Sequence, residues 1–102
     1  MQFNGGTVQV ANDVIDVIIA STALKVDGVV SVKGYDGKKL KRSHDKSIVT
    51  KVEGKDLTTA ITIKVDQNRP IVAVVQEVQA NIKKQIESML GLSCTAVDVL
   101  VV

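Results

Sequence analysis

Residues 57–65, Leu-Thr-Thr-Ala-Ile-Thr-Ile-Lys-Val, constrain the fold more than any other stretch of the chain. Successive side chains of a strand point to opposite faces, so Leu57, Thr59, Ile61, Ile63 and Val65 share one side and Thr58, Ala60, Thr62 and Lys64 the other. One face belongs inside and the other is at least partly wet. Residues 48–53, Ile-Val-Thr-Lys-Val-Glu, precede it across Gly54-Lys55-Asp56, which predicts a β-hairpin. A sheet with one dry face needs helices on that face, and the flanking segments provide two.

In the first, Val14, Ile15, Ile18, Ile19 and Ala23 fall at helical spacing behind Asn12 or Asp13 as a cap, which leaves Asp13, Asp16 and Ser21 for water. Its β-branched residues favour strand locally, so period has to outweigh propensity. The second opens at Pro70, whose missing N–H would be unpaired in a first helical turn anyway. Ile71, Val74, Val75, Val78, Ile82, Ile86 and Met89 form its apolar stripe, with Gln76, Glu77, Gln79, Lys83, Lys84 and Glu87 opposite, and Gly91 suits its left-handed end. Strands are predicted at 7–10, at Val29, Val30 and Val32, and at 96–102; the last is apolar on nearly both sides and reads as central or packed. The order β-α-β-β-β-α-β gives an α/β (α+β) two-layer sandwich with two helices on one face of a mixed sheet. At 102 residues the chain is expected to be one domain, with a flexible N-terminus over 1–6 and an exposed loop over 34–46.

Composition narrows the chemistry. One Phe, one Tyr and no Trp leave an aliphatic core and few rings for stacking on a ligand. The single cysteine, Cys94, excludes an internal disulfide and a multi-cysteine metal site, which fits a reducing compartment. Met1-Gln-Phe-Asn-Gly-Gly is neither basic nor followed by an apolar run, so no signal peptide is expected, and no apolar run reaches membrane-spanning length. A soluble, cytoplasmic protein is the expectation. Cys94 opens an apolar strand with no cationic neighbour in sequence and reads as a small buried hydrophobe. His44 is the only histidine, and Asp13 with Asp16 reads as helix-dipole compensation. The glycines form no phosphate loop. Neither a catalytic site nor a metal or cofactor is expected.

One local feature stands out. Residues 33–46 hold six basic and two acidic residues, a net +4, while the rest of the chain holds seven basic and nine acidic, a net −2. Lys38, Lys39, Lys41, Arg42 and Lys46 thus make a candidate interaction loop, able to meet phosphates of nucleic acid or an anionic surface. Tyr35 alone cannot build a stacking surface there. A loop kept soluble by its lysines is the simpler reading.

The order of motifs resembles the bacterial alkaline-shock, or envelope stress response, family of mainly Gram-positive bacteria. The resemblance runs through Gly6-Thr-Val-Gln-Val-Ala-Asn-Asp-Val-Ile15, Lys25-Val-Asp-Gly-Val29, the strand from Leu57 to Val65, Val75-Gln-Glu-Val-Gln79, Met89-Leu-Gly-Leu92 and Val97-Asp-Val-Leu-Val101. Asp66-Gln67 stands where the family usually has an aromatic residue and glycine, and the basic loop has no firm counterpart. The resemblance implies a non-enzymatic cytoplasmic protein of cell-envelope or lipid homeostasis, without catalytic residues. It also implies protein partners, among them a membrane-anchoring protein, and self-association. Nucleic-acid or anionic-surface binding through 33–46 is the alternative.

Overall fold

The computed structural model describes residues 2–3, 6–7, 12–38, 40 and 47–102. The elements run β1 (Gln2–Phe3), β2 (Gly6–Thr7), α1 (Asn12–Leu24), β3 (Val29–Val32), β4 (Ile48–Glu53), β5 (Asp56–Val65), α2 (Ile71–Leu90) and β6 (Ser93–Val101). β1 and β2 form a short antiparallel ribbon, so Gln2, Phe3 and Gly6 are paired within the segment expected to be flexible. Of the strand expected over 7–10, Thr7 belongs to β2; Val8, Gln9 and Val10 lie outside the described residues.

β5 is the axis of the main sheet. β4 runs antiparallel to it from Glu53 opposite Asp56 to Ile48 opposite Ile61, and β6 runs parallel from Ser93 beside Asp56 to Val101 beside Ile63. Ile63 has Val101 on one side and Val32 of β3 on the other, so β3 continues the edge that β4 begins. The sheet is therefore mixed. Two bulges shape it: Val30 is the extra residue between Val29 and Ser31, and Thr95 the extra residue between Cys94 and Ala96. A bulge interrupts the ladder, and here the Thr95 hydroxyl donates to the Leu57 carbonyl at 3.3 Å.

Both helices cover the face that carries Leu57, Thr59, Ile61 and Ile63. α1 packs over β3 and β4, α2 over β6, and the helices touch one another. Ile15, Ile19, Ala20 and Ala23 of α1 and Val74, Val78, Ile82 and Ile86 of α2 are buried in the core between helices and sheet. This burial is what holds the β-branched α1 in a helix against its local preference. α2 ends where Gly91 takes φ +67°, its N–H donating to the Glu87 carbonyl. Ahead of α2, the Gly28 carbonyl accepts from Asp66 N–H at 2.8 Å, and the Arg69 guanidinium grips the Asp27 carboxylate at 2.9 and 3.0 Å. That ion pair is exposed and adds little stability.

Four expectations need correction. Asp16 is buried at 6% exposure instead of facing water, because α1 turns that flank toward β4. The sheet supplies its partner: Thr50 Oγ1 donates to Asp16 Oδ1 at 2.7 Å and lies 3.1 Å from Thr59 Oγ1. Val14 lies out of the core, as do Ile71 and Met89 at the two ends of the α2 stripe. β6 is an edge strand, not a central one; it pairs only with β5 among the described residues. Finally, Gly34 and Tyr35 are buried, although the exposed loop was expected to begin there.

Candidate functional site

The face of the sheet away from the helices has no cover among the described residues. Its middle is built from small side chains: Thr58, Ala60 and Thr62 of β5 are half-buried, and Ala96 lies beside Thr58. Larger aliphatic groups rise around this floor. Val49 of β4 stands opposite Ala60 and is 44% exposed; Leu100 of β6 stands beside Thr62 and is 62% exposed. Val102, two residues on and in the same phase, is 70% exposed. Between Val49 and Leu100 lies a shallow groove of about 390 Å³ over Ala60 and Thr62, with Asp98 on its wall. Lys51 and Glu53 continue this face along β4, and Asp56 and Lys64 along β5, so its charges are of both signs.

Sequence reasoning missed this surface. The signal was in the phase of the strands: Asp98, Leu100 and Val102 alternate with Val97, Val99 and Val101, and Val49 alternates with Ile48 and Thr50. Once β5 fixes which phase is inward, the others are outward by pairing.

Of the predicted interaction loop, Lys38 is exposed, while Lys39, Lys41, Arg42 and Lys46 lie outside the described residues, as does His44. Tyr35 and Leu40 bridge one another and pack on the core, and Lys38 N–H donates to Asp36 Oδ1 at 2.8 Å. Gly37 takes φ +99° just before the exposed Lys38. With Tyr35 buried, the ring nearest the basic residues is not available for stacking.

Cys94 is 5% exposed, under α2. Burial pushes its thiol above the ordinary 9.0; the Glu87 carboxylate pushes the same way, and Lys83, the cation missing from the sequence neighbourhood, only partly opposes them. A thiol held protonated is a poor nucleophile. The folded state keeps this proton where the unfolded chain has begun to lose it, so its contribution to stability is complete below pH 9.0 and falls as pH rises beyond it. Urea midpoints of the parent should therefore drop more steeply above that pH than those of Cys94→Ala; parallel curves would contradict the burial account. Among the described residues no group of His, Cys, Asp and Glu is arranged to hold a metal ion, and no helix is long and apolar enough to cross a membrane.

The family model of the alkaline shock proteins, described as having a cell envelope-related function, matches residues 1–102. The chain belongs to the alkaline shock protein family. This bears out the resemblance seen in the order of motifs, and with it a cell-envelope-related function for this family member. A comparison with curated proteins gave no match. Among solved structures, the MamM CTD spanning 215–293 is similar at a TM-score of 0.58 and 14% identity, over 90% of this chain and 98% of that one. A manganese form of a MamM CTD variant gives 0.57 and 14% over 90% and 98%. A cadmium form of another gives 0.57 and 15% over 89% and 94%. At these identities the likeness shows the shared fold alone; the metals are those proteins' own.

Proposed function

We propose that the chain is a non-enzymatic interaction module of cell-envelope homeostasis, and that its uncovered sheet face packs against the same face of a second copy. The observation that carries this reading is the trio Val49, Leu100 and Val102, exposed around a floor of Ala60 and Thr62. Short side chains on the floor let another sheet approach to the roughly 10 Å of face-to-face packing. The aliphatic rim then fills the facing groove. Lys51 and Lys64 share the face with Glu53, Asp56 and Asp98, so a two-fold arrangement can set unlike charges opposite each other. A further protein partner, one anchored in the membrane, accounts for envelope attachment in this reading.

Size-exclusion chromatography with light scattering tests the self-association. The parent is expected to be a dimer at micromolar concentration. Leu100→Lys should be a folded monomer with the parent's circular dichroism, since the residue is already exposed in the single chain. A parent that stays monomeric at high concentration, or a Leu100→Lys dimer, overturns the reading. Pull-down from separated membrane and soluble fractions then identifies the anchoring partner.

A further inference from the structure

The side of β6 that faces away from β5 is an open strand edge beside a groove. Val102 N–H donates to the Ile63 carbonyl of β5 at 3.0 Å. Alternate residues of a strand turn their backbone groups to opposite edges, so Asp98 and Leu100 point toward β5 with Val102, and Val97, Val99 and Val101 point outward. A side chain of α2 agrees with this direction: Gln79 Nε2 donates to the Val97 carbonyl at 3.0 Å. No strand among the described residues takes the remaining outward groups. Next to this edge, α2 and the start of β6 enclose a groove of about 220 Å³ lined by Gln79, Ala80, Lys83, Cys94 and Val97. Lys83 has no ion-pair partner among the described residues.

We propose that an extended segment of a partner protein adds to β6 as a new strand, seats an aliphatic side chain in this groove and brings a carboxylate to Lys83. In strand addition the main-chain bonds supply affinity, and pockets for alternate side chains supply selectivity. Both parts are present. The edge offers Val97 N–H and both groups of Val99 and Val101, and the groove floor is apolar around Ala80, Cys94 and Val97. Natural sheets blunt such edges with lysine, proline or bulges. β6 has neither lysine nor proline, and its one bulge, at Thr95, lies near its beginning. In the free chain Gln79 occupies the Val97 carbonyl; an N–H of the incoming strand replaces it and releases the amide toward the bound segment. Lys83 sets the charge of that segment, because a carboxylate there gains a charge-assisted hydrogen bond. This edge is separate from the sheet face of the proposed dimer, and peptide binding tests it without reference to that dimer.

The test is to select binders from a random peptide library on the full chain and to measure their affinity by fluorescence anisotropy. The selected peptides should alternate aliphatic residues and carry Asp or Glu. Methylating alternate peptide amides, which leaves the protein untouched, should weaken binding by about tenfold or more, the effect of losing one or two main-chain hydrogen bonds. Val99→Pro removes an outward N–H without breaking the β5 ladder and should do the same, and Lys83→Glu should shift the preference to basic peptides. Peptides without an acidic residue, or binding indifferent to both amide methylation and Lys83→Glu, overturn the proposal. A dimer of this chain that Val99→Pro abolishes and Leu100→Lys does not would also overturn it, by giving the edge to a second copy.

Discussion

An Ile82→Ala chain is expected to lose about 3–5 kcal/mol of unfolding free energy, the upper range for deleting a buried aliphatic side chain. Ile82 is fully buried at the middle of α2, between Val78 and Ile86, where the helix faces the sheet and α1. Its neighbours are held by the ladder and by the other helix, so the space left behind cannot close by a local shift. A chain of this size has roughly 5–15 kcal/mol in hand. The loss should therefore lower the melting temperature by roughly 15–30 °C. Urea unfolding is the measurement, with the slope unchanged and the midpoint displaced. A cost below about 1 kcal/mol would mean that α2 does not pack as described.

Gly28→Ala is the second large effect, at about 2–4 kcal/mol, and it acts through the backbone. Gly28 has φ +99°, a conformation that side-chain-bearing residues rarely adopt, and a Cβ there would stand 2.9 Å from Val74 Cγ2 and 3.2 Å from Arg69 Cγ. Arg69 is exposed and can move, but Val74 is buried and stiff at its branch. The position joins the end of α1 to β3 while its carbonyl receives Asp66 N–H, so a shift there also disturbs the approach to α2. A double-mutant cycle with Val74→Ala separates the two causes. Removing the valine methyls should relieve the clash and leave the φ cost, so the pair should be less destabilised than the sum. Strict additivity would show that the contact with Val74 contributes nothing.

The fold was legible where one residue's surroundings depended mainly on its own element. The alternation of 57–65 gave β5 and its dry face, and the stripe from Val74 to Ile86 gave the buried side of α2. What sequence could not reveal depended on pairing between distant elements. Asp16 reads as a solvent residue until Thr50, itself paired with Thr59, is known to meet it from the sheet. β6 reads as central or packed because nearly both its faces are apolar; only its pairing shows that Val97, Val99 and Val101 lie toward α2 while Leu100 and Val102 are uncovered. The same blindness applied to the candidate surfaces. A run of lysines is visible in one dimension, whereas the Val49–Ala60–Leu100 groove joins three strands, and the edge groove joins Lys83 to Cys94 and Val97.

The role of β5 has a consequence for how this domain can come apart. Every other strand of the main sheet is attached through it, β3 and β4 on one edge and β6 on the other. Among the described residues no strand-to-strand route would join β6 to β4 if β5 left. The sheet thus has the connectivity of a hub with spokes, and such a network fails all at once. A lesion in β6 alone can peel away one spoke, but a lesion in β5 leaves β3, β4 and β6 linked only through the helices packed on them. Partial structures that keep a remnant of the sheet are therefore available only to damage at the rim.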